Sequence, residues 1–191
     1  MESRKVIESL RHWAIASKES SVHDTQGLRP IDPTTLGRND TKAPWVLPLL
    51  ASGFGAGFSP IVPGTVGTLF AIPIALGFSK IPFPLHELTI LTFFFLSCWV
   101  SGKAESYWGR KDDRRIVIDE MMGFFVTMLW LPGTVFFIVI GFFLFRFFDI
   151  LKPPPIRRLE NIQGGFGVVL DDVVAGIYAN IALQLVRLIM T

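Results

Sequence analysis

The stretch 134–155 reads "TVFFIVIGFFLFRFFDILKPPP". Its first twelve residues are nearly pure hydrocarbon, and it then takes up Arg146, Asp149 and Lys152 before a run of prolines. The three charges are spaced three apart, so they share one face of a helix. Charged side chains at the edge of an apolar helix are expensive unless they are paired or used. An apolar helix ending in a charged face is the pattern to explain in the rest of the chain.

Half of the 191 residues are hydrophobic, including 18 Phe and 5 Trp, and the mean hydropathy is +0.48. Soluble domains of this size rarely have that composition, so the chain is read as a membrane protein. A net charge of +2 gives no support to a nucleic-acid partner. Cys98 is the single cysteine, which excludes an internal disulfide. The N-terminus lacks the apolar core and small-residue cleavage site of a secretory signal.

The chain divides at residue 44. Residues 1–43 form a polar extension. In it Val6, Ile7, Leu10, Trp13, Ala14 and Ser17 pattern an amphipathic surface helix, followed by a flexible linker. Residues 44–191 form the membrane domain. The expected fold is all-α, a helical membrane bundle of about five hydrophobic segments with a polar site on its cytoplasmic side. Residues 44–52 are an apolar approach too short to span. The segments proper are 65–79, 87–102, 117–131, 134–151 and 168–190. Several fall short of the roughly 20 residues of a comfortable span, a deficit that tilt, local thinning or partial embedding would cover.

Lys103, Arg110, Lys111, Arg114 and Arg115 lie between the second and third segments, and Lys152, Arg157 and Arg158 between the fourth and fifth. Two spans separate these clusters, which puts them on one side, the cytoplasmic one by the positive-inside rule. "SKIPFPLHE" at 79–87 and "LPG" at 131–133 are then far-side turns. Measured from the turn at Pro132–Gly133, Asp119 lies about 20 Å and Asp149 about 24 Å along their helices. They therefore share a depth with Asp171 and Asp172, which are expected to open the fifth helix, and with the glycine-rich start of the first.

Five carboxylates in one place (Asp119, Glu120, Asp149, Asp171 and Asp172) repel, and protons or a cation must offset their charge. Oxygen donors without His or Cys suit Mg²⁺ or Mn²⁺. Arg146 and Lys152 add donors for an anion, the combination a phosphate substrate needs. "GFGAGFSPIVPGTVG" at 53–67 brings glycines together with Ser59, Gly64 and Thr65, and "QGGFG" at 163–167 precedes the fifth helix. Loops of this kind can turn backbone N–H groups toward a phosphate. Each signal has a plainer explanation. Glycine loops are turns, acid pairs steady helix N-termini, the 146–152 triad is an interfacial ion-pair ladder, and basic loops anchor to the membrane surface. Their convergence at one end of one bundle favours a site.

Four motifs occur in order: "GFGAGFSPIVPGTVGT" at 53–68, "VIDEMMG" at 117–123, "FRFFDILKPPPIR" at 145–157 and "GGFGVVLDDVVAGIYAN" at 164–180. Together they resemble the phosphatidylglycerophosphatase A family of bacterial inner-membrane lipid phosphatases, over about residues 45–190. The resemblance implies an all-helical fold and Mg²⁺-dependent hydrolysis of phosphatidylglycerophosphate to phosphatidylglycerol and phosphate, feeding anionic phospholipid synthesis. It matches the family's acidic positions to Asp119, Glu120, Asp149, Asp171 and Asp172. It matches the basic ones to Arg146 and Lys152, and the Pro-Gly-Thr loop to Pro63, Gly64 and Thr65. Metal-assisted monoester attack by water is the expected route, with one carboxylate as base; an aspartyl-phosphate intermediate is the rival. His12, His23 and His86 lie in the extension or on the far side, which disfavours a phosphohistidine. The competing readings are a divalent-cation transporter, which wants its acids near the midplane, and a lipid-binding membrane protein.

Overall fold

In the computed structural model, which describes residues 45–159 and 162–190, the apolar segments fold as helices, and there is no strand among the described residues. In chain order they are α1 (Val46–Ala51), a 3-10 turn (Ala56–Phe58), α2 (Pro63–Phe78), α3 (Leu85–Trp108), α4 (Ile118–Thr127), α5 (Val135–Leu151), α6 (Ile156–Leu159) and α7 (Gly165–Met190). The expected surface helix and linker in residues 1–43 lie outside the described residues.

Helix bounds follow local chemistry. Pro63 occupies the first turn of α2, where its missing N–H is not needed. α3 runs well past the expected residue 102, because "KAESYW" continues to favour helix. It stops where Gly109 takes a left-handed φ of 65°.

The third expected segment, 117–131, departs most from its reading. Its helix α4 has only 10 residues, about 15 Å of length against a hydrocarbon core of about 30 Å. Its end is fixed by side chains of α7. The Asn180 amide donates to the carbonyls of Thr127 (2.9 Å) and Leu129 (2.8 Å), and Arg187 Nη1 donates to the carbonyl of Trp130 (2.8 Å). Carbonyls that an ended helix leaves without partners are thus satisfied inside the bundle rather than by continuing the helix. Periodicity cannot show this, because the partners come from residues more than 50 positions away.

α4 is the inner helix. Ile118, Asp119, Met121, Met122, Gly123, Phe124, Phe125 and Thr127 are all buried, and α2, α3, α5 and α7 pack around it. At the α4–α7 crossing the backbones touch: a Cβ on Gly176 would strike the Gly123 carbonyl, and one on Gly123 would strike the Phe145 ring and the Asp172 carbonyl. Small residues at helix crossings permit this close approach, which brings the acidic ends of α4 and α7 together.

Outside, the polarity is reversed. Leu88, Leu91, Phe95 and Trp99 on α3, Phe136, Val139, Phe143 and Phe147 on α5, and Ile177, Ile181, Leu185 and Leu188 on α7 form exposed apolar stripes. Asp119, Asp171, Asp172, Thr68, Ser97, Ser101 and Thr127 are buried. α3 and α7 are long and apolar enough to cross a membrane, and their apolar windows are only 28% and 22% buried. A core helix of a soluble protein would be mostly buried, so an exterior of this kind fits a lipid surround.

The loop from α3 to α4 is fastened by Asp113. Its buried carboxylate accepts from Arg115 Nε (2.7 Å), Arg115 Nη2 (2.8 Å) and the Arg115 amide (3.1 Å). The same guanidinium sits 4.6 Å above the Trp108 ring. Burial alone would raise the Asp113 carboxyl, but the Arg115 hydrogen bonds and charge outweigh it and hold the group below its ordinary value.

Two outcomes are expected in detergent. Gly176→Val should destabilise the fold by roughly 1–3 kcal/mol through overpacking, seen as a lower melting temperature. Gly77→Val, where a Cβ meets nothing within 4 Å, should change it little. Asp113→Asn should cost roughly 1–3 kcal/mol near pH 7. Because the folded pKa is depressed, the wild-type advantage is complete above the unfolded value of about 3.9. It should disappear as pH falls through the folded value. An advantage that grew on acidification would contradict this assignment.

Candidate active site

α2 starts, α3 ends, α4 starts, α5 ends and α7 starts at the same end of the bundle, and each of these elements except α3 brings a predicted residue there. Asp119 and Glu120 are in the first turn of α4, where Asp119 Oδ1 accepts the Glu120 amide at 3.0 Å. Asp171 and Asp172 are buried in α7, which begins at Gly165. They therefore sit more than a turn inside the helix and do not open it as expected. Helix-dipole stabilisation does not explain a pair at that depth. Three additional residues, Gly165 to Gly167, form helix because glycine permits contact with α3: Gly165 lies against the Cys98 carbonyl and the Gly102 amide.

Asp119, Glu120 and Asp172 converge. Each contributes a carboxylate oxygen to a group whose members all lie within 4.8 Å of one another. Glu120 Oε2 is buried without a hydrogen-bond partner. Asp149 lies within electrostatic reach of both Glu120 and Asp172. The basic residues flank this centre. Arg146 Nη1 is 2.7 Å from Asp149 Oδ2, one turn along α5, with both side chains only 13% exposed. Arg146 Nε is buried without a partner. Lys152 Nζ does not continue the ladder along α5. It crosses to α7 and donates to Asp171 Oδ2 at 2.9 Å. Lys152 closes α5 in a left-handed conformation (φ 45°), its amide bonding to the Phe148 carbonyl, a geometry few non-glycine residues adopt. A surface ion-pair ladder accounts for Arg146–Asp149 but not for Lys152.

The glycine-rich loop divides in two. Gly64 belongs to the centre: a Cβ there would collide with the Glu120 carboxylate and lie 3.1 Å from Arg146 Nη1. Glycine is needed because the acid and the guanidinium occupy the space. Thr65 is next to it, yet its amide already bonds to the Val62 carbonyl (3.0 Å), as does that of Val66 (3.2 Å). Ser59 bonds within its own turn, its hydroxyl donating to the Ile61 carbonyl at 3.0 Å. The structure thus gathers Gly64 with the carboxylates through packing. Among the described residues, neither Ser59 nor Thr65 forms a hydrogen bond to these carboxylates.

Asp112 was missed by the sequence reading. Its charge acts on Asp119 and Asp171, and it lines a cleft of about 280 Å³ with Lys111, Gly167, Val168 and Asp171. In "GRKDDRR" it reads as one charge in a solvated run. What distinguishes it is conformational: a φ of 48°, held by its amide donating to Glu105 Oε1 at 2.8 Å. His86 is, as expected, remote from this end. It pairs at 3.4 Å with Glu87, whose carboxylate accepts from Trp130 Nε1.

Residues 49–187 match the family described as phosphatidylglycerophosphatase A. A relative from Bacteroides thetaiotaomicron, named putative phosphatidylinositol-3-phosphatase, is 43% identical over 156 residues, 76% of this chain and 97% of its own. Relatives from Escherichia coli (39% over 136 residues, 70% of this chain and 78% of theirs) and Haemophilus influenzae (38% over 138, 71% and 85%) are both named phosphatidylglycerophosphatase A. No solved structure matches. With the match running from α1 to α7 and taking in every carboxylate of the centre, the chain belongs to the phosphatidylglycerophosphatase A family of phosphoric monoester hydrolases.

Proposed function

We propose that the chain hydrolyses phosphatidylglycerophosphate to phosphatidylglycerol and phosphate with Mg²⁺, at the cytoplasmic face of a bacterial inner membrane, as a step in anionic phospholipid synthesis. The observation that carries this is the convergence of Asp119, Glu120 and Asp172 with Arg146 and Lys152 beside them in a bundle whose outside is hydrocarbon. An all-carboxylate donor set with an unpartnered Glu120 oxygen fits a hard divalent cation. Asp119, Glu120 and Asp172 would hold it. Bound there, it would polarise a phosphoryl oxygen and acidify a water.

The chain's own groups do the rest. Arg146 offers its unpartnered Nε to the phosphoryl oxygens as charge develops on them, and Asp149 holds its guanidinium in place. Lys152 adds positive charge beside Asp171. Water attacks phosphorus as one of the carboxylates takes its proton, the ester bond to the headgroup oxygen breaks, and the protonated carboxyl or a solvent water returns a proton to that oxygen. Arg110, Lys111, Arg114, Arg157 and Arg158 lie in the connections at this end. That supports a cytoplasmic orientation and attraction of anionic lipid at up to about 1 kcal/mol per residue. A cation pathway fits less well, since cationic neighbours oppose conduction and suit phosphate.

The first test is phosphate release by the purified protein in detergent, from phosphatidylglycerophosphate and, because of the Bacteroides relative's name, from phosphatidylinositol 3-phosphate. Release should require Mg²⁺, stop with EDTA, and fall roughly 100-fold or more in Asp149→Asn at unchanged melting temperature. Release from the inositol lipid alone would reassign the substrate. Failure of a folded, Mg²⁺-loaded protein on both would reject the proposal. Gly64→Ala should lower kcat about 100-fold by displacing Glu120 and Arg146. Wild-type kcat in that variant would show that the close packing is not needed for turnover.

A further inference from the structure

A groove of about 360 Å³ opens on the outer face between α5 and α7, lined by Phe148, Pro153, Tyr178, Ile181, Ala182 and Leu185. Its walls are hydrocarbon. The one polar group, the Tyr178 hydroxyl, is engaged, donating to the Pro154 carbonyl at 2.9 Å. The Tyr178 ring meets Phe148 edge-on, with centroids 5.6 Å apart. Ile181 and Leu185 are exposed.

The groove is in register with the site. Tyr178, Ala182 and Leu185 follow Asp171 by 7, 11 and 14 residues, so all four lie on one stripe of α7. On α5, Phe148 precedes Lys152 by one turn, and Lys152 is bonded to Asp171. The groove therefore runs down from the Lys152–Asp171 pair, from about 10 Å below it at Tyr178 to about 21 Å at Leu185. The groove itself is about 11 Å long, shorter than the roughly 15 Å of one leaflet of a hydrocarbon core about 30 Å thick. At its head stands Lys152, and the basic α6 residues Arg157 and Arg158 follow within six residues of it in the chain. A cation at the head of an apolar channel shorter than one leaflet has the polarity of an anionic lipid.

We propose that this groove is the acyl-chain subsite of the enzyme: it receives a fatty-acyl chain of the phosphomonoester lipid whose phosphate is held among Asp119, Glu120, Asp172 and Arg146. The inference rests on the lipid-phosphatase reading above. It makes Ala182 and Leu185 determinants of chain-length preference, acting through hydrocarbon contact alone, with Phe148 and Tyr178 forming the rigid wall.

The test compares dioleoyl and dihexanoyl phosphatidylglycerophosphate in mixed micelles, using the full-length wild type and the groove-filling variants Ala182→Trp and Leu185→Trp. The ratio of kcat/KM for the long chain to that for the short should fall about tenfold or more in the variants, since several methylenes lose their contacts. The change should lie in KM. An unchanged ratio in both variants overturns the proposal. So does a parallel loss on both substrates, which would mark the residues as structural. A shift in oligomer mass with the ratio intact overturns it too, and would assign the groove to a second copy of the chain. The dihexanoyl arm separates the two levels: a wild type inactive on both lipids removes the phosphatase reading, whereas activity without chain-length sensitivity removes only the subsite.

Discussion

The constraint that organises this protein is mutual repulsion among carboxylates held where water is scarce. Asp119, Glu120 and Asp172 place oxygens within 4.8 Å of one another, and Asp119 and Asp172 are almost fully buried. Such an arrangement survives only if opposite charge is built in beside it and the surrounding structure cannot relax away. Arg146 and Lys152 supply the charge from the end of α5. The rigidity comes from contacts in which glycine removes the last spacer: Gly123 against Gly176, Gly64 against Glu120, Gly165 against Cys98. Of these contacts, the one at Gly64 touches the acids directly, since a Cβ there would occupy the space of the Glu120 carboxylate.

Much of this was legible in the sequence, and what was not has identifiable causes. Apolar runs located the helices, and the turn at Pro132–Gly133 correctly folded α5 back beside α4, bringing Asp149 near Glu120. The charges of "RFFDILK" stood out because hydrocarbon neighbours make charge conspicuous, and all three are paired at one end of the bundle. Three things escaped. The length of α4 depends on Asn180 and Arg187, which cap it from a distant helix. Lys152 was expected to share a face with Arg146 and Asp149, but the chain turns left-handed there and sends the amine to α7. Asp112 was hidden in a charged loop where composition carries no contrast. Each omission involves long-range contact or backbone conformation, which a pattern of residue types does not encode.

The outward-facing residues place the chemistry in its setting. A soluble phosphatase exposes its site to bulk water and hides its apolar side chains. Here the apolar side chains face outward along α3, α5 and α7, and the polar groups are gathered within and at one end. On the proposed reading, a headgroup would be processed at that end without its tail leaving the hydrocarbon. The family's match from residue 49 to residue 187 covers both the polar end and the helices that set its depth.

The early stop of α4 has an electrical consequence. Below the acids the interior is filled by Phe78, Phe93 and Phe125, whose rings meet edge to face at centroid separations of 5.0 Å. The hydroxyls of Thr68, Ser97 and Thr127 in this interior donate to carbonyls one turn back in their own helices, and the carbonyls of Thr127, Leu129 and Trp130 are bonded to Asn180 and Arg187. Between the carboxylate end and the opposite face, aromatic side chains are thus interleaved with polar groups that already have hydrogen-bond partners. Aromatic packing and locally satisfied hydroxyls in this way confine a dense set of charges to one end of an apolar bundle.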